Sequence, residues 1–330
     1  MPADTTETLL FETSPFGTID AIVEHDGRVV YFYLNEHRDA SGAAAGKFGM
    51  RACWVRNLQR GPLVLDKEQM AGGAPPLMPR NDCRDQEAQQ VPQADSLEVV
   101  WFEEGNGAAL LEVDAESRKQ TIAVIPPWSG VDGFHGYSLN CAYETPLAWP
   151  LPINESLSRR IDRAADFWSS FTKESSPFPA LQSQQMEIYE SRFGDSASQQ
   201  YYAIDGGRFP PRGLIRYETS TETCLLTVGM SLCPQPAIEL ALENPSAQRR
   251  IELGVRLPHG DSGLDEALID AAMGSLSSWA SYPWRNHSWL GADHTIDFAA
   301  TNTKAKLFPD EHFKLSFRDD PVNLLWIRFA

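Results

Sequence analysis

A chain of 330 residues has room for two domains of ordinary size, and 42% hydrophobic against 22% charged residues is the balance of folded rather than disordered protein. The formal charge of −17, heaviest in the N-terminal part, opposes the phosphate neutralisation on which nucleic-acid affinity rests, so no nucleic acid is expected as a partner. The 23 Gly and 23 Pro fall between apolar runs without a period, which excludes collagen-like, solenoid and low-complexity chains.

The first residues, Met1 to Glu7, carry no basic group ahead of Leu9-Leu10-Phe11, unlike a signal peptide. No apolar stretch is long enough to span a bilayer, so no membrane partner is expected. The five cysteines (Cys53, Cys83, Cys141, Cys224, Cys233) are odd in number and contain no CxxC pair. That predicts reduced thiols in a cytoplasmic protein, with neither a disulfide framework nor a zinc site.

In chain order, strands are expected at 18–23 and 29–34, flanking Asp26-Gly27, a dipeptide suited to the positive φ angles of a tight hairpin. Further strands are expected at 50–55, 97–102, 108–113 and 121–125. The Pro-, Gln- and Gly-rich stretch 72–92 reads as an irregular surface excursion or flexible loop. The proline run 146–152 continues neither a helix nor a central strand, and the domain boundary is placed there. Beyond it, Asn154 is positioned to cap a helix whose apolar residues Leu157, Ile161, Ala164, Trp168 and Phe171 recur at helical spacing and should pack on a sheet. A second helix is expected over 179–193, ended by a left-handed Gly194, and a third after Ser262, with Asp265 at capping-box spacing and Leu264, Leu268, Ala272 and Trp279 along one side. Strands are expected at 213–217, 224–229, 237–242, 249–257, 294–298 and 322–327. The fold class is therefore α/β (α+β): an N-terminal, mostly antiparallel β domain at 1–150, of unknown role, followed by a mixed α/β domain at 151–330.

Three segments of the second half resemble the suppressor of fused family: LLTVGMS at 225–231, RIELGVRLP at 250–258, and LSSWASYP at 276–283 followed by WLGADHTI at 289–296. YYAIDGG at 201–207 and PVNLLW at 321–326 resemble bacterial members, in which an extra N-terminal region is common. The resemblance covers about 155–330 and implies a non-enzymatic domain that holds a protein partner, with no cofactor. Animal members grip a short peptide of a zinc-finger transcription factor with a helix aromatic and the Asp of an Asp-His pair. By motif these positions fall at Trp279 and Asp293, with Tyr282 and His294 beside them. Here the loop is longer, the aromatic is Trp rather than Tyr, and the C-terminal region of the animal proteins has no counterpart. Bacterial members act as immunity proteins, which would make the partner a toxin domain. Read from the residues alone, Trp279 is equally at home in a core and Asp293 as the cap of a turn.

Catalytic motifs are imitated but incomplete. Gly260-Asp261-Ser262-Gly263 lacks the second glycine of a trypsin-like nucleophile segment, and 42–47 is one residue short of a phosphate loop. Gly229-Met230-Ser231 has Cys233 where a nucleophile elbow needs Gly. His287, His294 and Asp297 are a compact group, yet His294 and Asp297 point to opposite faces of a strand, so no metal is expected. The glycine-rich loop 126–137, with Trp128, Phe134, His135 and Tyr137, is a candidate pocket wall, with Asp205 and Arg208 offered from the other half. The alternative to partner binding is accordingly an enzyme whose site lies between the halves. The other reading of the loop is a packed connection.

Overall fold

The computed structural model describes residues 6–38, 48–130, 132–152, 155–171, 176–194, 197–204, 210–260 and 265–329. The chain divides into two compact units, 1–169 and 170–330.

The first unit holds two mostly antiparallel sheets, in which only β8–β9 is a parallel pair, the short helix α1 and the longer helix α2. Strands β1 (Glu7–Thr13), β2 (Ile19–His25), β3 (Val29–Glu36) and β4 (Met50–Asn57) pair in chain order. After the short helix α1 (Lys67–Ala71), strands β5 (Leu97–Trp101), β6 (Ala108–Val113), β7 (Lys119–Ile125), β8 (Tyr137–Ser138) and β9 (Trp149–Pro150) form the second sheet. Within 97–125 the strands carry unbroken apolar runs, at 99–102, 108–111 and 122–125, because this sheet is buried on both faces. Val99, Trp101 and Leu110 join Phe32, Trp54 and Val23 in the core shared with the first sheet. Val100, Ala109, Leu111 and Val124 meet Leu157, Ile161 and Ala164 of helix α2 (Glu155–Phe171). The expected apolar stripe of α2 thus packs on a sheet, and that sheet belongs to the N-terminal unit. The boundary read at the proline run and the division after residue 169 differ by this helix. Trp168 Nε1 donates to the Trp101 carbonyl at 2.7 Å, and Arg160 and Arg163 pair with Glu104 and Glu103 at 2.9 and 3.2 Å.

Some local expectations change. The β2–β3 loop pairs His25 with Val30, so it holds four residues rather than two. Only Gly27 has positive φ, while the Asp26 carboxylate accepts from the amides of Arg28 and Val29. The 72–92 stretch is irregular but fastened: Met78 is buried, its amide and carbonyl both bonded to the Asn57 side chain, and the Cys83 backbone forms an isolated antiparallel β-bridge with that of Cys141. β1, β8 and β9 lie outside the expected strands. Pro150 is tolerated because β9 is a sheet edge.

In the second unit, helix α3 (Phe178–Phe193) precedes strands β10 (Ser198–Ala203), β11 (Gly213–Glu218) and β12 (Glu222–Val228). Next come the helical turn α4 (Ile238–Ala241), β13 (Arg250–Pro258), α5 (Glu266–Arg285), β14 (Thr295–Phe298), β15 (Thr303–Pro309), β16 (Leu315–Phe317) and β17 (Asp320–Phe329). They make one eight-stranded sheet, order β10-β11-β12-β13-β17-β15-β14, with β16 paired to β17. Only β13–β17 is parallel, and β14 is an edge. Helix α3 packs on one face through Tyr189, whose neighbours include Tyr217, Leu226 and Leu324, while α5 crosses β12 and β13.

The strand expected at 237–242 is a helical turn entered through Ala237 at φ 60°. Gly194 has φ −84°, not a left-handed angle; it is glycine because a Cβ would meet the Glu190 carbonyl at 2.5 Å. Asp265 caps α5, its side chain accepting from the Leu268 amide at 3.1 Å. Asn154, Asp261 to Leu264, and 42–47 lie outside the described residues.

Candidate functional site

The segments that carried the family resemblance build one assembly. At its base is Glu252 of β13, fully buried. Its Oε1 accepts from Gln185 Nε2 at 2.6 Å, the Ser231 amide at 2.8 Å and Ser231 Oγ at 2.7 Å; its Oε2 accepts from Thr227 Oγ1 at 2.6 Å. Burial raises the Glu252 carboxyl above its ordinary 4.5, and these donors pull the other way. Beside it, buried Arg250 reaches Asp320 at 3.0 Å and the Ser231 and Leu232 carbonyls at 3.1 and 2.6 Å. The turn after β12, with Gly229 at φ 88°, is therefore clamped from β13 and α3. Ser231 has no exposed surface, so it is a structural hydroxyl and the nucleophile-elbow likeness carries no chemistry.

The chain then returns through Gln235, a buried side chain that clasps Leu290: its Nε2 donates to the Leu290 carbonyl at 2.9 Å and its Oε1 accepts the Leu290 amide at 2.8 Å. Trp284 Nε1 donates to the Pro234 carbonyl at 3.1 Å. These bonds fix the loop between α5 and β14. Within it the Trp289 ring lies over Gly291, where a Cβ would sit 2.4 Å from it, and edge-on to His294 at 4.3 Å.

The residues singled out by motif lie on α5 and on the loop that follows it. Trp279 and Tyr282, one helical turn apart on α5, have ring centres 4.6 Å apart, and both are half-buried. Trp279 Nε1 donates to the Asp297 carbonyl at 3.0 Å, closing one backbone acceptor of edge strand β14. Trp279 is thus neither core nor fully exposed. Asp293 precedes β14 at φ 67°, and its amide bonds the Leu307 carbonyl at 2.8 Å. Its exposed carboxylate pairs with Lys306 at 2.7 Å. The structure therefore brings Trp279 to Tyr282, and Asp293 to Lys306. The two pairs flank β14, one at the strand's start and the other at Asp297 in its second half. Asp297 stood out in the sequence only beside His287 and His294 as a metal candidate; its carbonyl as the partner of Trp279, and Lys306 as that of Asp293, had no signal, since a main-chain acceptor has no side-chain signature and an isolated lysine has no pattern.

The loop 126–137 is packed within its own unit. Phe134 is buried against Tyr137 and Trp149, each at 4.9 Å, and the Arg160 guanidinium lies 5.4 Å from the Trp128 ring. Ser129 Oγ donates to the His135 carbonyl, and the Gly130 amide to the Phe134 carbonyl at 2.7 Å. Asp205 and Arg208 lie outside the described residues. Among the described residues no three His, Cys, Asp or Glu side chains are grouped to hold a metal, and no helix is long and apolar enough to cross a membrane. All five cysteines are buried free thiols.

A search of curated proteins finds no match to this chain. Residues 213–328, from the start of β11 almost to the end of β17, match the family model for suppressor of fused protein, and the C-terminal unit accordingly carries a suppressor of fused domain.

Proposed function

We propose that this protein acts by binding another protein, holding a short segment of it on the surface made by Trp279 and Tyr282 of α5, the Asp293–His294 turn and edge strand β14. The suppressor of fused domain supports a protein-binding role in general. The observation that favours this surface is the half-exposed Trp279–Tyr282 pair beside edge strand β14, with the exposed Asp293 carboxylate at the other end of that strand. Aromatic area, an acceptor carboxylate and a sheet-edge strand suit an extended peptide. The proposed partner is a toxin domain, which this chain neutralises without catalysis, in the cytoplasm.

The test is affinity purification of the tagged full chain from its native cells, in wild-type and Trp279→Ala/Asp293→Ala forms, with mass spectrometry of co-purifying proteins. A partner retained by the wild type and lost from the double variant, with circular dichroism unchanged, supports the site. A partner held equally by both forms removes it. Co-expression of any toxin so recovered, with and without this protein, tests the immunity role through cell survival.

A further inference from the structure

On the sheet face that α3 partly covers, three cations lie side by side beyond the helix. Lys306 of β15 is directly opposite Arg328 of β17, and Arg256 of β13 is one residue past the last parallel pair, Val255 with Ile327. Matching positions on neighbouring strands share a face, about 4.8 Å apart, and like charges so placed repel. Two of the three have one carboxylate each: Lys306 with Asp293 at 2.7 Å, and Arg256 with Glu222 at 3.2 Å. Both pairs are solvent-exposed and hence weak. Arg328 is exposed and, among the described residues, has no carboxylate partner.

The guanidinium groups are nevertheless held in place. Arg256 lies 5.4 Å from the Phe193 ring centre and 4.9 Å from that of Trp326, and Arg328 lies 4.8 Å from that of Phe308. A guanidinium over an aromatic ring is attracted by the ring face and keeps N–H groups that can donate to a carboxylate. Between the two arginines opens a cavity of about 550 Å³, lined by Arg256, Trp326, Ile327, Arg328 and Phe329.

The geometry points to a second binding surface, at which Arg256 and Arg328 receive the carboxylates of an acidic polypeptide segment. Charge complementarity argues for the occupant: in a chain of net charge −17, these cations are gathered on adjacent strands and are incompletely neutralised. The row continues to Lys306 across three strands, which suits successive carboxylates along a chain better than one compact anion. The surface makes no use of Trp279.

The experiment is fluorescence anisotropy of a labelled hexaglutamate peptide with the full-length protein at low ionic strength. The peptide should bind, and Arg328→Gln should weaken it about tenfold, the cost of one charge-assisted hydrogen-bonded contact. Arg256→Gln/Arg328→Gln should weaken it further, added salt should abolish it, and Trp279→Ala should bind as the wild type does. Absence of binding, or equal binding by the double variant with an unchanged melting temperature, overturns the proposal. Displacement of the peptide by an equal concentration of inorganic phosphate overturns the polypeptide assignment. Because Trp279→Ala tests one surface and Arg328→Gln the other, either reading can fail alone.

Discussion

Gln185 of α3 donates to the carboxylate of Glu252 of β13 at 2.6 Å, inside a unit where Glu252 has no exposed surface. The Gln185 side chain ties the helix to the turn after β12, because its Oε1 also accepts the Gly229 amide at 2.9 Å.

Glu252 should make stability depend on pH. Its folded-state carboxyl binds a proton more tightly than the unfolded chain does, with burial as the cause. The resulting stabilisation is complete below the unfolded value near 4.5 and is lost as pH rises through the raised folded value. Glu252→Gln mimics the protonated form, with its amide able to donate to Thr227 Oγ1. Urea unfolding across pH should show the variant gaining on the wild type as pH rises above ~4.5. Parallel curves would show that Glu252 does not titrate in this way. Glu252→Leu strands the Ser231 and Gln185 donors and should cost about 3 kcal/mol.

Arg250 and Asp320, both buried, form an ion pair at 3.0 Å that anchors β13 to the start of β17. Arg250→Met leaves a buried carboxylate without its cation and should destabilise the C-terminal unit by about 3–5 kcal/mol. Chemical unfolding followed by tryptophan fluorescence measures it, and a loss under ~1 kcal/mol would mean that solvent reaches Asp320.

Helix α2 covers one face of the second sheet, so a fragment ending at residue 150 exposes Val100, Ala109, Leu111 and Val124. A fragment 1–171 should be soluble and unfold cooperatively, whereas 1–150 should bind a hydrophobic dye and aggregate. Equal behaviour of the two would place α2 outside the first unit's folding. Within the longer fragment Ile161→Ala should cost about 2–4 kcal/mol.

Two glycines should fail for different reasons. Gly27, at φ 79° with open space around it, should lose about 1 kcal/mol on substitution by Ala through backbone strain alone. Gly27→Asn should recover part of that loss, since Asn tolerates the left-handed region. Gly194 has an ordinary φ but no space, so Gly194→Ala and Gly194→Asn should both destabilise. Thermal unfolding of the four variants separates strain from crowding.

Much of this architecture was legible in the residues because its causes are local or periodic. The two-sided burial of β5 to β7 wrote itself as continuous apolar runs, and the one-sided packing of α2 as a stripe from Leu157 to Trp168. The suppressor of fused motifs were legible for a related reason: Thr227, Ser231 and Glu252 must meet in one buried network, so their types and spacing are tightly constrained.

The tertiary structure alone decided what has no local signature. A strand expected at 237–242 became a helical turn because short apolar segments fit either form until neighbours choose. Helix α2 went to the first unit because the uncovered sheet face lies there, a fact of sheet topology rather than of the helix. At the candidate site the motif named Trp279 and Asp293, but only the fold showed the indole bonded to the Asp297 carbonyl and the carboxylate to Lys306. Arg256 and Arg328, 72 residues apart in the chain, become neighbours solely through the parallel pairing of β13 with β17. Sequence carries the cost of burying a side chain; which distant side chains share a face is set by strand order and register.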